Sequence, residues 1–429
     1  MWSNQALISK LLIVTATFLS TVVAQFGLGG IPLQPASPPV LTANKTGPYN
    51  VGVRQDSYMS QSRNLTRYWW YPAQAVNDST PFVSAGGIQG ESVLNAPVDS
   101  SGGPYPLILF SPGLGAYADA YYFYVQNLAS HGYVVVSLEH YDTKSALPTS
   151  DLPLRALAEV YQSEDQGSDA VEVTYTEWFR STQFALTYRA QEIKAGLLTA
   201  LLHISRSSSP FFGAVDITNI GMSGHSLGAF YTLLVGGGMP IFCDYNMTAA
   251  ELDPDTYNIT EISPCAFPAR HNLSGPFELE NATIKAIIPL AAPMFIQESQ
   301  LARAASKMHV PMMVLTGDDL QEESTRTPQR TVYENSKGES YWVMVTNTSH
   351  YLVGDAYQLN PTFSLSLPAK DRAEFLGKAE VYMTYSAAFF DLYLKGNKSA
   401  KLTMKGGISS PYLAEFDYHT SKISKKVPQ

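Results

Sequence analysis

The sequence predicts an α/β protein: a mostly parallel central sheet, helices on both faces and cap-like insertions. Three observations carry that expectation. Short apolar runs (Pro106 to Phe110, Tyr133 to Leu138, Ile284 to Leu290, Val310 to Thr316) alternate with stretches of helical spacing, the pattern of parallel strands joined by crossover helices. One further run, with Val215, Ile217, Ile220 and Met222, meets Gly224-His225-Ser226-Leu227-Gly228 and passes at once into a helix-like segment, Ala229 to Val235. Acids and histidines then follow in the order that a nucleophilic serine on such a sheet requires.

The strand, glycine-flanked serine and helix read as a nucleophile elbow. At such a turn the serine is held in a strained conformation with its hydroxyl above the sheet edge, and its neighbours must be nearly free of side chain. Gly224 and Gly228 meet that need. A bare G-x-S-x-G arises by chance in roughly one or two of ten chains this long, so the flanking elements carry the inference.

The elements follow in chain order. Met1 to Lys10 is polar with one lysine, Leu11 to Val23 is apolar, and Ala24 is the small residue of a cleavage site, so residues 1–24 read as a secretory signal. The apolar run is short of the ~20 residues of a membrane span. Residues 25–48 form a Pro/Gly/Ala-rich extended lead-in. Tyr49 to Val53 and Asn64 to Tyr71 are expected strands, the second ended by Pro72, with Tyr68-Trp69-Trp70-Tyr71 as buried strand aromatics. Asp78 to Tyr105 reads as a turn-rich connection. After the strand at Pro106 comes Ser111-Pro112-Gly113-Leu114-Gly115, whose spacing fits no phosphate-binding loop. In a hydrolase such a loop points a backbone N–H, here that of Leu114, at a developing oxyanion. Asp119 to Ser130 and Thr182 to Ile204 have helical spacing; between them the acid-dense Asp151 to Trp178 reads as a cap or solvated segment. Gln297 to Lys307 and Ala369 to Leu394 are expected helices, and Tyr341 to Val345 a late strand.

At 429 residues the chain could hold two or three average domains, but single-sheet enzymes reach this size. The expected organisation is one domain over 49–418, with insertions near 142–180 and 236–283 and a tail over 419–429. A net charge of -9 argues against nucleic acid as a partner, because phosphate binding needs a basic face. Charged residues make up only 15%, against about a quarter in ordinary domains. Glycans could compensate, since Asn-x-Ser/Thr acceptors stand at Asn44, Asn64, Asn77, Asn246, Asn258, Asn272, Asn281, Asn347 and Asn397. The two cysteines, Cys243 and Cys265, would form one disulfide in an oxidising compartment. The expected location is therefore extracellular, and the chemistry calls for no metal or cofactor.

Serine needs an imidazole base oriented by a carboxylate. In the order Ser, acid, His, the histidines at 131, 140 and 203 precede the elbow, His225 lies within it, and those at 271 and 309 precede the best acid strand. His350 and His419 remain, and His350, just past the strand ending near Val345, is favoured. The acid is Asp318 or Asp319 in Gly317-Asp318-Asp319; Asp319 is preferred because acids here commonly sit a few residues beyond the strand.

Two stretches resemble the platelet-activating factor acetylhydrolases of type II, phospholipases with an α/β-hydrolase fold. One is Tyr105 to Ala116, continuing through Leu128-Ala-Ser-His-Gly-Tyr133 to Glu139-His140; the other is Gly224-His-Ser-Leu-Gly228. The family has histidine where Pro112 stands. The resemblance implies a calcium-independent hydrolase of short or oxidised sn-2 acyl esters of phospholipids, with the N–H groups of Leu114 and Leu227 as oxyanion donors and transient contact with a lipid interface. In the animal enzymes the acid follows the strand that corresponds to Ile287 to Ala292, where this chain has alanines. An acid at 318 or 319 instead matches the dienelactone and polyester hydrolases.

Overall fold

The computed structural model describes residues 46–77, 80–84, 89–114, 116–142, 189–239, 284–293, 298–318, 323–348, 350, 369–420 and 423–426. All of them fall in one compact unit spanning 39–152 and 179–429. The expected signal, the lead-in up to residue 45, both cysteines, Asp319 and the acceptors at 44, 246, 258, 272 and 281 lie outside the described residues.

Twelve strands form one sheet: β1 (Asn50–Ser60), β2 (Arg63–Ala73), β3 (Pro81–Val83), β4 (Gln89–Leu94), β5 (Tyr105–Ser111), β6 (Val134–Leu138), β7 (Val215–His225), β8 (Ile284–Leu290), β9 (Met312–Gly317), β10 (Ser340–Val345), β11 (Leu413–Thr420) and β12 (Ile423–Lys426). Their order is β12-β11-β10-β9-β8-β7-β5-β6-β2-β1-β4-β3. The six strands from β10 to β6 are mutually parallel, and antiparallel strands extend the sheet at both ends. The expected α/β-hydrolase architecture is present.

Alternation along the strands sends side chains to two cores. Leu107, Leu109, Val134 and Val136 pack on one face, with Ile193 and Leu197 of the helix over 189–205 (α2) and with Phe230 and Leu233 behind the elbow. Ile108, Phe110 and Val135 pack on the other, with α1 (Tyr122–Ser130) and with Phe389 and Phe390 of the long helix Ala369–Leu394. The chain runs from β5 outward to β6 and then returns to place β7 on the opposite side of β5. Loops leaving the carboxyl ends of β5 and β7 therefore diverge, opening the crevice in which ligands of open α/β sheets bind.

Tyr121, Tyr122, Phe123 and Tyr124 are buried, so this aromatic run is core and not a lipid-facing surface. Trp69, Trp70 and Tyr71 are buried as expected, Trp69 stacking on Phe211 with ring centroids 4.6 Å apart, whereas Tyr68 is only half-buried.

Other expectations are corrected. Strand β2 runs through Pro72, which pairs with Val51; β6 pairs with β2 only as far as Trp70, so a residue without an N–H is tolerated beyond it. The turn-rich connection contains β3 and β4. A helix at Glu323–Asn335, unforeseen because Pro328 interrupts its pattern, covers β9 and β10. Residues 419–429 are not simply a tail: His419 pairs with Ser340 on β10, and β12 folds back on β11. Strand β12 is short and mostly polar, which gives it little hydrophobic signal.

Candidate active site

The elbow forms where β7 ends between β5 and β8. Ser226 has φ 53° and ψ -123°, a left-handed conformation strained for any residue with a side chain. Its amide donates to the Leu290 carbonyl at 3.0 Å, and its carbonyl accepts from Ala229 and Phe230 at 2.8 and 3.1 Å, which fixes the turn from both sides. The glycines are there for space. A Cβ at Gly224 would sit 2.5 Å from the Gly228 carbonyl oxygen, and one at Gly228 would sit 1.9 Å from that of Ser111. The short helix Leu227–Tyr231 (α3) is buried, whereas Ser226 is only half-buried.

The imidazole of His350 reaches this hydroxyl, with Nε2 at 2.8 Å from Ser226 Oγ. His419 does not take part: its Nε2 donates to the Tyr333 carbonyl at the far strand β11. Asp318 sits at the end of β9, and its carboxylate is held by the loop that leads to His350. Thr346 Oγ1 donates to Oδ2 at 3.1 Å, and the Asn347 amide donates to Oδ1. Asn347 takes φ 45°, and its carbonyl accepts from Lys378 Nζ at 2.7 Å. Asp318 thus shapes the histidine loop. In β9 a Cβ at Gly317 would lie 2.0 Å from the Thr348 carbonyl oxygen, so the two loops are packed backbone to backbone.

The loop after β5 is clamped from beneath by charge. Arg189, at the start of the described part of α2, donates Nη1 to the Pro112 carbonyl at 2.6 Å and Nη2 to the Gly113 carbonyl at 2.8 Å. The same guanidinium binds both carboxylate oxygens of Asp142, with Nε to Oδ2 at 2.9 Å and Nη2 to Oδ1 at 2.9 Å. Both side chains are buried. In a planar trans peptide the carbonyl and the following N–H point in opposite directions. Holding the Gly113 carbonyl on Arg189 therefore turns the Leu114 N–H away from Arg189. Neither Arg189 nor Asp142 was singled out from the sequence.

A second polar cluster lies deeper. Ser111 Oγ is 2.8 Å from His140 Nε2, and His140 Nδ1 is 3.0 Å from Glu192 Oε2. All three are fully or almost fully buried, which rules them out as a route for solvent-borne substrate. Burial, and then the nearby Arg189, hold His140 well below the usual imidazole range. Burial raises Glu192 to about 7, partly opposed by Arg189, the Tyr141 amide and Arg63. An acid with a folded pKa of about 7 and an ordinary value of 4.5 contributes stability that is complete below 4.5 and lost as pH rises through 7. Glu192→Gln should therefore gain stability relative to the parent between pH 5 and pH 8, by on the order of 3 kcal/mol. Thermal unfolding of both proteins at the two pH values checks this; a difference independent of pH would refute it.

Of the acceptor asparagines within the described residues, Asn64, Asn77, Asn347 and Asn397 are all exposed. No helix among the described residues is long and apolar enough to cross a membrane.

Residues 82–233, which hold both the loop after β5 and the elbow, match the family model "Platelet-activating factor acetylhydrolase, isoform II". The platelet-activating factor acetylhydrolase of Cavia porcellus is 41% identical over a region covering 23% of this chain and 29% of that protein. The match thus spans less than a third of that relative's length. Among solved structures, a ferulic acid esterase from Streptomyces cinnamoneus shares the fold, with a TM-score of 0.50 and 18% identity over 84% of this chain and 94% of that one. The sequence match and the sheet topology converge: this chain has the α/β-hydrolase fold and, over residues 82–233, is similar to the platelet-activating factor acetylhydrolase type II family.

Proposed function

We propose that the protein is a serine carboxylic ester hydrolase that cleaves short acyl esters through an acyl-enzyme. The observation that carries this reading is the 2.8 Å contact between His350 Nε2 and Ser226 Oγ at a strained, half-buried elbow. In the proposed reaction Ser226 Oγ attacks the ester carbonyl while His350 takes its proton. The N–H groups of Leu114 and Leu227 receive the oxyanion, and His350 returns the proton to the leaving alcohol. Water then repeats the sequence to release the acid. Asp319 orients the imidazole in this scheme, because the carboxylate of its neighbour Asp318 is engaged by Thr346 and Asn347. No metal or cofactor takes part in these steps.

The acid can be assigned directly. Asp319→Asn should lower kcat by about four orders of magnitude, the loss expected when the imidazole is left in the wrong tautomer. Asp318→Asn should cost far less, since the amide oxygen can still accept from the Asn347 N–H while the amide NH2 donates to the Thr346 hydroxyl. Steady-state kinetics on a chromogenic acetyl ester checks both; full activity in the first variant with loss in the second would exchange their roles.

Similarity to the guinea-pig enzyme's family supports an acetylated or oxidised phospholipid as the substrate. The position of the acid after β9, with Ala291 and Ala292 at the end of β8, favours a second reading, a polyester or dienelactone type of esterase. The reading also includes export, supported by the N-terminal signal pattern and by the four exposed acceptor asparagines, with Cys243 and Cys265 joined as a disulfide. A fluorophosphonate probe followed by a panel of acetyl phospholipid, long-chain lipid, aryl ester and polyester substrates tests the function. Covalent labelling at Ser226 with preference for the short sn-2 chain is the expected result. An unlabelled protein would instead be a non-catalytic member of the fold.

A further inference from the structure

The histidine inside the elbow, His225, is buried, and its two ring nitrogens reach two different parts of the site. Nε2 lies 2.7 Å from the backbone carbonyl of His350. A carbonyl only accepts, so Nε2 carries the proton, and in a neutral ring Nδ1 is then an acceptor. Nδ1 lies 2.9 Å from the Tyr121 hydroxyl, which can donate to it. That hydroxyl accepts from the Gly113 amide at 2.9 Å.

These bonds make one directed chain. The Gly113 N–H donates to Tyr121, the Tyr121 O–H donates to His225, and the His225 N–H donates to the His350 backbone. The chain joins the loop that carries Leu114 to the residue whose side chain meets Ser226. It crosses beneath the nucleophile, since a Cβ at Gly113 would lie 3.1 Å from Tyr121 Oη, 3.3 Å from His225 Nδ1 and 3.4 Å from Ser226 Cβ. The His225 and His350 rings pack with centroids 4.8 Å apart.

The neutral ring is also the one the surroundings favour. Burial, reinforced by the neighbouring His350, lowers His225 to about 3, so it keeps one proton and one lone pair across the range in which esterases work. A second cation so close to an imidazolium would oppose the proton transfer at His350.

We infer that Tyr121 and His225 are positioning residues that set the oxyanion loop and the base histidine relative to one another, so that both meet Ser226 in register. This rests on the proposed reaction at Ser226. A group that acts by placing others should change the rate of the chemical step more than substrate affinity, because small misplacements at the reacting atoms are costly.

The test uses the full chain and a chromogenic acetyl ester. His225→Leu should lower kcat by about 10- to 100-fold with KM changed less than about twofold. His225→Gln, which keeps an N–H near the position of Nε2, should recover most of that loss. Tyr121→Phe should lower kcat by about 10-fold, and the double variant should lose less than the product of the two single losses. Unaltered kcat in His225→Leu and Tyr121→Phe would overturn the inference, as would a His225→Gln protein as impaired as His225→Leu, or strictly multiplicative losses. If His225→Leu does not fold, Tyr121→Phe and His225→Gln still decide. Ser226→Ala run alongside separates the two readings: turnover surviving in that variant defeats the proposed reaction, whereas its loss with undisturbed His225 and Tyr121 variants defeats only the inference.

Discussion

Ser226→Ala should reduce ester hydrolysis by four to six orders of magnitude, on the order of the loss seen when a serine nucleophile is removed from an acyl-transfer site. The hydroxyl is the atom that bonds to the acyl carbon, so no neighbour can take over its role. A residual rate above that in water would come from the oxyanion donors acting on a bound ester. Stability should move the other way or not at all. The backbone at 226 is held at φ 53° by its own hydrogen bonds to Leu290, Ala229 and Phe230, none of which uses the side chain. Alanine pays the same steric penalty as serine in that conformation and leaves no buried polar atom, because Ser226 is half-exposed. Hydrolysis of the acetyl ester and thermal unfolding of the same preparation check both halves. Retained turnover would remove Ser226 from the reaction, and a large fall in stability would mean that the hydroxyl holds the loop.

Much of this site was legible because its parts lie at the ends of strongly patterned elements. The apolar runs ending at Ser111, His225 and Gly317 mark the ends of β5, β7 and β9, with β8 between the last two, and the order of serine, acid and base then points to residues near 318 and 350. Short backbone approaches were legible as well, through the glycines at 113, 224 and 228, each of which meets a neighbouring backbone or side chain closely. What was missed has a different character. Tyr121, His225, Asp142 and Arg189 act through contacts between residues far apart in the chain, and a polar residue read singly does not disclose its partner. One signal was available. Positions 189, 192, 193, 196, 197 and 200 share one stripe of α2, which is apolar at 193, 197 and 200 and charged at 189 and 192. Charges on the inward stripe of an amphipathic helix must be paired in the interior or the helix would not pack there. Strand β11 had a signal that went unread, with Ala414, Phe416 and Tyr418 alternating with Glu415, Asp417 and His419, whereas β12 is 4 residues long and mostly polar.

Arg189→Met is expected to produce the largest loss of stability, about 3–5 kcal/mol, since removing one member of a buried pair leaves the other charge uncompensated. Asp142 would keep its carboxylate in the interior, the Pro112 carbonyl would lose the guanidinium, and the Gly113 carbonyl would keep the Ala116 amide at 3.2 Å but lose its charged donor. Activity should fall for a separate reason. With its charged donor gone from the Gly113 carbonyl, the peptide that carries the Leu114 N–H is held less firmly, and a lost oxyanion donor costs about 10²- to 10³-fold in kcat. Lysine at 189 would not substitute, because a single ammonium cannot hold a carboxylate and two carbonyls in the planar fork that arginine provides. The two effects separate in the double variant Arg189→Met/Asp142→Leu. Replacing a whole buried pair by apolar side chains is often neutral or stabilising, so the double variant should recover much of the lost thermal stability. It should not recover kcat, because nothing in it replaces the guanidinium's hold on the two loop carbonyls. Unfolding midpoints and acetyl ester kinetics on the two variants measure each half. A double variant that regains both stability and turnover would show that the guanidinium serves the core alone, and that the oxyanion loop is held by the Tyr121 contact and the packing against Ser226 without it.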